Sequence, residues 1–173
     1  MKIQSKLITL LFATITCVGC DQVSKHFAKS FLQYNGPQSF FSDLLRFHYA
    51  ENPGVAFSLG AQLPEHVRVL LFVFGTSICL ALLLVYIVRA DNRNRLHLLA
   101  LSLIFAGGMG NLIDRIFRDG RVIDFLNLGI GDFRTAIFNI ADMAISFGMV
   151  LLIATSFWAS EEATNEEISG SAT

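Results

Sequence analysis

The sequence predicts an all-α membrane protein with four transmembrane helices and a small extracytoplasmic β-sheet. Hydrophobic residues make up 53% of the 173-residue chain and charged residues only 16%. The mean hydropathy of +0.55 is too high for an ordinary soluble domain of this length. Four apolar stretches are long enough to cross a bilayer as helices. The two longer connections between them contain strand-like patterns.

The four spans are expected at about residues 7–28, 68–88, 96–117 and 136–159. The second is the clearest, because it contains an uncharged apolar run of spanning length. The first is long enough only if its helix continues past Cys20, through Asp21 and Lys25, to about Ala28. Together the spans form one membrane domain, which we place at residues 1–160.

Charged residues predict how the chain is oriented. Lys2 and Lys6 precede the first span, and arginines fill the short link between the second and third spans. The positive-inside rule places both regions, and therefore both termini, in the cytoplasm. The connections 29–68 and 118–135 then face outward. The acidic segment 161–173 is expected to be a disordered cytoplasmic tail.

The N-terminus allows a second interpretation. Two lysines, an apolar run and Val18-Gly19-Cys20 resemble the signal peptide and lipobox of a lipoprotein, with Cys20 as the mature N-terminus. However, Cys17 stands where such a box has an aliphatic residue, and three further spans follow. We therefore favour an uncleaved first helix.

Polar residues within the predicted spans are concentrated near the outer end, although a charge at membrane depth is costly. They include Asp21 in the first span and two clusters with helical i, i+3 spacing in the third and fourth spans. Asp114 and Arg115 are expected to pair with each other and brace the helices. The inner halves carry few polar groups. The outer-end cluster residues are Asn111, Asp114, Arg115, Asn139 and Asp142.

The available side chains favour carboxylate chemistry. No serine has the setting of a serine peptidase, and the four histidines have neither zinc-ligand spacing nor an H-E-x-x-H motif. Asp142 and a second aspartate, one ionised and one protonated, can activate water and polarise an amide carbonyl. Two partners are possible in the second outer connection: Asp124, and Asp132 in a G-x-G-D sequence. The spacing alone does not choose between them.

Five motifs resemble the lipoprotein signal peptidase, or signal peptidase II, family. They occur in order along most of the chain: DQVSK at 21–25, NPGVAFS at 52–58, GNLIDR at 110–115, VIDFLN at 122–127 and FNIAD at 138–142. The resemblance implies an aspartyl endopeptidase that removes the signal peptide from diacylglyceryl-modified prolipoproteins. Such an enzyme cuts just before the lipidated cysteine.

The same resemblance assigns roles to particular residues. The family's catalytic aspartates fall on Asp124 and Asp142, which leaves Asp132 without a role. Val55 departs from the residue that the family more often has there, which would narrow the pocket. The residues implied to shape the site and hold substrate are Asp21, Lys25, Asn52, Gly54, Asn111, Asp114, Arg115, Asn139 and Ala141.

The implied setting is the bacterial cytoplasmic (inner) membrane, with the active site near its outer face. The expected partners are prolipoproteins and membrane lipid, with no nucleic acid, metal or organic cofactor, and the protein is expected to be a monomer. A proton or ion pathway is the alternative function, but it would require polar residues through the whole membrane thickness. A purely structural protein would leave the polar clusters unexplained.

Overall fold

A computed structural model of the chain describes residues 2–54, 60–90 and 94–171, with the side chains of the last helix described as far as residue 157. Within these ranges, four helices are long and apolar enough to cross a membrane, which confirms the predicted fold class. They are α1 (Ile3–Asn35), α2 (Glu65–Arg89), α3 (Arg95–Phe117) and α4 (Ile140–Ser171).

Two of the helices contain a short π-helical segment. It lies at Ala28–Leu32 in α1 and at Leu70–Phe74 in α2. The first helix is longer than predicted. It continues past the expected end at about Ala28 to Asn35. Its extra turns carry the chain from the spanning segment to the sheet.

The third helix occupies the centre of the bundle and is the most buried of the four spans. The side chain of Asn94 caps its first turn by accepting a hydrogen bond from the backbone N–H of Leu96 at 2.8 Å. A Cβ on Gly107 would collide with Ile145, and one on Gly108 would collide with Leu80. These glycines therefore allow neighbouring helices to approach closely.

The fourth helix begins at Ile140, four residues later than predicted. The residues before it pair with the sheet instead: the Phe138 N–H donates to the Leu126 carbonyl at 2.8 Å, and its carbonyl accepts from the Leu126 N–H at 2.8 Å. At its other end the helix continues to Ser171, where a disordered tail was expected. The glutamates and alanines of that segment favour helix formation.

The two longer connections form a single four-stranded antiparallel sheet, which confirms the predicted sheet. The first contributes β1 and β2, the second contributes β3 and β4, and the strand order is β1-β2-β3-β4. The pairing of β2 with β3 shifts register between Phe47 and Ala50. The strands are β1 (Gln38–Phe40), β2 (Leu45–Asn52), β3 (Val122–Ile130) and β4 (Phe133–Arg134).

Two apolar clusters lie at opposite ends of the bundle. The first joins Leu10, Ile87 and Leu98 from three helices, and the Lys6 ammonium donates to the carbonyls of Val88 and Ala90 at the end of α2. The second cluster packs the last turns of α1 against β2 and β3. We call the end with the second cluster the sheet end. The N-terminus of α1 and the link between α2 and α3 therefore share the opposite end.

Candidate active site

Asp124 is a buried carboxylate in β3, at the point where the sheet meets the helices. Its exposed fraction is 4%. The Nδ2 group of Asn139 donates to Asp124 Oδ1 at 2.7 Å, and the Nδ2 group of Asn52 donates to Asp124 Oδ2 at 3.1 Å. Both carboxylate oxygens are therefore fixed by amide donors from separate segments, the start of α4 and the end of β2.

Asp142 lies in the first turn of α4, closer to the start of the helix than the predicted span 136–159 placed it. Asn139 is the N-cap residue: its Oδ1 accepts from the Asp142 N–H at 2.9 Å, while Asp142 Oδ2 accepts from the Asn139 N–H at 3.1 Å. This reciprocal arrangement is a capping box. The capping box fixes the residue at which α4 begins. The Asp142 side chain is half-buried at the sheet end.

Asn111 of α3 supports both aspartates. Its Nδ2 donates to Asp142 Oδ1 at 2.8 Å, and its Oδ1 accepts from Asn139 Nδ2 at 3.1 Å. Asn139 is fully buried. Its side chain hydrogen-bonds to Asp124, to the Asp142 backbone and to Asn111. The sequence placed Asn111, Asn139 and Asp142 near the same end of their spans, and the structure joins them to Asp124 through hydrogen bonds.

Burial sets the electrostatics of the β3 carboxylate. Removal from water, together with the neighbouring charge of Asp142, raises the pKa of Asp124 to about 6. The amide donors of Asn139 and Asn52 act in the opposite direction by stabilising the ionised form. Asp124 is therefore an acid that can hold a proton much closer to neutral pH than an exposed aspartate can.

A buried ion cluster stands behind the two aspartates. The fully buried Lys25 ammonium lies 2.7 Å from Asp21 Oδ2 and 3.0 Å from Asp114 Oδ2. It also donates to Asn111 Oδ1 at 3.1 Å, which links the cluster to the amides around Asp142. A single cation thus neutralises carboxylates from α1 and α3 and holds these helices together.

The cluster also reaches the start of α4 and the start of β3. Asp21 Oδ1 accepts from the backbone N–H of Ala141 at 2.9 Å. Asp114 Oδ2 accepts from the backbone N–H of Ile123 at 3.0 Å. These bonds fix the residues that immediately precede Asp142 and Asp124. The role of Ala141 is therefore carried by its backbone.

Arg115 does not pair with Asp114, which corrects the expected brace. Asp114 instead faces Lys25 and Arg118, whose Nε lies 3.3 Å from Asp114 Oδ1. The neighbouring position on a helix points about 100° away, so adjacent residues do not face each other. Arg115 turns towards the loop after β2, where it donates to the Gly54 carbonyl at 3.4 Å.

Gly54 connects Arg115 to the site through Asn52. The Gly54 N–H donates to Asn52 Oδ1 at 2.9 Å, while Asn52 Nδ2 donates to Asp124. This segment therefore aims the Asn52 amide at the carboxylate. Val55, for which a narrower pocket was expected, lies outside the described residues.

Asp132 is separated from the site. It occupies the two-residue turn between β3 and β4 and is exposed to solvent. Ile130 lies six residue steps along β3 from Asp124, and at the rise of a β-strand these steps place the turn roughly 20 Å away. Sequence spacing did not choose between Asp124 and Asp132 as the partner of Asp142. The strand pairing favours Asp124, because it places Asp132 far from the site.

Gln22 belongs to the buried ion cluster, although the sequence analysis did not select it as a site residue. Its Nε2 lies within 3.2 Å of Asp21 Oδ2 and within 3.1 Å of Asp114 Oδ1. It also donates to the Gly110 carbonyl at 3.2 Å. Its position inside the DQVSK motif, between Asp21 and Lys25, was the available signal.

The arrangement provides two carboxylates of different exposure that are held by amide groups at the sheet end: Asp124 is buried and Asp142 is half-buried. Such a pair can activate water and transfer a proton to a leaving amine. Within the part of the chain that the structure describes, no group of three or more His, Cys, Asp or Glu side chains could hold a metal ion.

Four apolar helices with a polar site at one end define a multi-pass membrane enzyme, and comparisons with known proteins place it among peptidases. The chain belongs to the signal peptidase II, or lipoprotein signal peptidase, family. The family model described as Signal peptidase (SPase) II matches residues 13–158.

Curated relatives and solved structures agree with this membership. The lipoprotein signal peptidase of Hydrogenovibrio crunogenus is 35% identical over 91% of this chain and 90% of its own. The one from Chlorobium phaeobacteroides is 40% identical over 77% of this chain and 80% of its own. A solved structure described as a bacterial membrane enzyme has a TM-score of 0.74 and 28% identity over 92% of this chain and 91% of that one.

Proposed function

We propose that the protein is an aspartyl endopeptidase that removes the signal peptide from diacylglyceryl-modified prolipoproteins. The cut falls just before the lipidated cysteine, and Asp124 and Asp142 are the catalytic pair. The observation that carries this proposal is the Asn139 side chain, which contacts the Asp124 carboxylate and the Asp142 backbone at once. The family relationship adds the substrate class.

The two aspartates take different roles in the proposed reaction. Asp124, whose pKa is raised to about 6 by burial, is the carboxyl that holds the shared proton and hydrogen-bonds the scissile carbonyl. Asp142 is half-buried, and two N–H donors and the N-terminus of α4 stabilise its negative charge. It is the base that takes a proton from water.

The proposed steps need no covalent intermediate. Water attacks the scissile carbon as Asp142 accepts its proton, while Asp124 gives its proton to the carbonyl oxygen, forming a tetrahedral gem-diol. The proton on Asp142 then passes to the amide nitrogen, and the C–N bond breaks. One hydroxyl proton of the gem-diol returns to Asp124, which restores the starting charges.

The remaining residues support the pair without reacting. Lys25, Asp21 and Asp114 hold the helices, and Asn52 and Asn111 orient the two carboxylates. The substrate's acyl chains lie in the bilayer beside the helices, with the scissile bond at the sheet end. The enzyme acts as a monomer in the bacterial inner membrane, with both termini in the cytoplasm and the sheet end at the outer face.

The test is cleavage of a diacylglyceryl-modified prolipoprotein by purified enzyme in lipid. Asp124→Asn and Asp142→Asn are expected to lose cleavage while remaining folded, with Asp124→Asn at least as stable as wild type at neutral pH because it lacks the buried carboxylate. Asp132→Asn is the matched control, because it removes an exposed aspartate of the same loop, and it is expected to cleave normally. Cleavage by Asp124→Asn at the wild-type rate would overturn the assignment of the pair.

A further inference from the structure

One face of the four-stranded sheet carries a row of apolar side chains that runs across the strands to the β3–β4 hairpin. Phe40 of β1 pairs with Leu45 of β2, which pairs with Leu128 of β3, so the three side chains lie side by side. Two residues further along β3, Ile130 lies on the same face, and its partner in β4 is Phe133. An apolar row therefore extends to the hairpin at the edge of the sheet.

Beyond the buried Ile123 and Phe125 of β3, the opposite face of the same strands is polar. Ser39 pairs with Arg46, and Arg46 pairs with Asn127. Arg134 of β4 donates to Asn127 Oδ1 at 2.5 Å, and Asp43 accepts from Ser39 at 2.6 Å and from Arg46 Nε at 2.6 Å. The side chains here bind one another: Ser39 is exposed, Arg46 and Arg134 are half-buried, and Asn127 is buried beneath them. This part of the sheet is therefore amphipathic.

The helices cover only part of the apolar face. Phe47 and Leu126, which lie on this face two positions from Leu45 and Leu128, pack against the cluster at the end of α1. Beyond them the face is uncovered. Ile130 is 80% exposed and Phe133 is 91% exposed, although both are large apolar side chains.

The uncovered part continues a surface that already faces lipid. The last turns of α1 expose Phe27, Phe31 and Tyr34, and the apolar face of the sheet packs beside these turns. At 1.5 Å per residue, a 33-residue helix exceeds the roughly 30 Å hydrocarbon core, so its last turns lie at headgroup depth. Aromatic side chains are favoured at that depth.

We propose that the apolar face of the sheet rests in the bilayer leaflet at the sheet end, with Ile130 and Phe133 inserted deepest and the polar face towards water. Transfer of two such side chains from water into lipid stabilises the contact. Because Asp124 belongs to the same strand as Ile130, the contact also sets its depth relative to the lipid. That consequence rests on the proposed function, whereas the leaflet contact does not.

The experiment places a single tryptophan on either face of the sheet. The chain has one tryptophan, Trp158, so Trp158→Phe is the background for three variants. Phe133→Trp and Ile130→Trp report on the apolar face, and Ser39→Trp reports on the polar face of the same sheet as a matched control. Each protein is reconstituted into phosphatidylcholine vesicles with or without acyl-brominated lipid, and its fluorescence is measured.

We expect brominated lipid to quench Phe133→Trp and Ile130→Trp strongly, with emission shifted to the blue, and to leave Ser39→Trp nearly unchanged. Equal quenching on both faces would overturn the proposal. It would also be overturned by blue-shifted emission that brominated lipid does not affect, since another protein surface would then cover the face. Because no substrate is present, the result does not depend on the proposed peptidase reaction.

Discussion

Asn139 and Asp142 cap one another at the start of α4. The Asn139 Oδ1 accepts from the Asp142 N–H at 2.9 Å, and Asp142 Oδ2 accepts from the Asn139 N–H at 3.1 Å. Because the Asn139 amide also donates to Asp124 at 2.7 Å, the signal that starts the helix also positions both aspartates. Local folding and the geometry of the proposed site therefore depend on one side chain.

Two substitutions of Asn139 separate capping from catalysis. Serine caps a helix but is too short to donate to Asp124, whereas alanine does neither. We expect Asn139→Ser to be about 1 kcal/mol more stable than Asn139→Ala. Both should lose about tenfold to a hundredfold in cleavage rate, since a hydrogen bond to a charged group contributes about 1.5–3 kcal/mol. Wild-type cleavage by Asn139→Ser would contradict this role.

The pH dependence of cleavage should reflect the raised pKa of Asp124. Burial and the charge of Asp142 raise it to about 6, so the protonated form required by the proposed reaction becomes scarce above that pH. We expect kcat/KM to fall as pH rises through about 6. A profile that keeps rising above pH 7 would contradict the assigned proton.

The same group should make folding stability depend on pH. Its folded pKa of about 6 lies above the reference value of 3.8, so its stabilising contribution is complete below pH 3.8 and is lost as pH rises through 6. Asp124→Asn has no such titration. Thermal unfolding of both proteins is measured at pH 4 and at pH 7. Between these two pH values we expect the free energy of unfolding of wild type to fall by up to about 3 kcal/mol relative to that of Asp124→Asn. If the difference in stability between wild type and Asp124→Asn were the same at both pH values, the raised pKa of Asp124 would be contradicted.

The sequence predicted most of the fold because the bilayer constrains span length and composition. The apolar run in α2 needed no knowledge of tertiary contacts, and the alternation of Leu45, Phe47 and Tyr49 correctly indicated β2. The start of α4 was misplaced because hydropathy does not distinguish a strand-pairing Phe138 from a helical one. The Asn-x-x-Asp capping pattern at 139–142 was the better signal.

Pairing inside the site was harder to predict because it depends on how helices pack. Lys25 and Asp114 are far apart in sequence and meet only when α1 lies against α3. Arg115, adjacent to Asp114 in sequence, was the obvious partner, but helix geometry turns it towards Gly54. The choice of Asp124 over Asp132 likewise required the strand register that the structure supplies.

Removal of the buried cation should destabilise the protein severely. Lys25→Met would leave Asp21 and Asp114 buried without their shared ammonium, at a cost of about 3–5 kcal/mol. The matched control is Arg121→Ala, which breaks an exposed pair with Glu51 and should cost about 0–1 kcal/mol. Thermal unfolding of the two variants in the same detergent measures the difference. Equal losses would mean that Lys25 is not the partner on which these carboxylates depend.

Gly110 should tolerate no side chain. A Cβ there would lie 2.8 Å from Asp21 Oδ2 and 3.2 Å from the Ala141 Cβ, so Gly110→Ala should push α3 away from the start of α4. We expect a loss of about 1–3 kcal/mol in stability, together with reduced cleavage. Gly19→Ala is the control, because nothing lies within 4 Å of its Cβ position. It should be neutral or stabilising by about 0.5–1 kcal/mol.

Arg115 and Gly54 position the Asn52 amide that donates to Asp124. The guanidinium donates to the Gly54 carbonyl at 3.4 Å, and the Gly54 N–H holds the Asn52 side chain at 2.9 Å. The Asn52 amide then donates to Asp124 Oδ2 at 3.1 Å. Asn52 is therefore a positioning residue in the proposed mechanism, and it has an electrostatic effect that a merely structural residue would lack.

Removal of the Asn52 amide should move the pH profile in a defined direction. Its hydrogen bond stabilises the ionised form of Asp124 and so lowers the pKa of that carboxyl. With Asn52→Ala the pKa should rise, and the alkaline limb of kcat/KM should shift to higher pH. Arg121→Ala, at the surface, should leave the limb in place. If Asn52→Ala slows cleavage without moving the limb, Asn52 acts on the substrate instead of on the proton of Asp124.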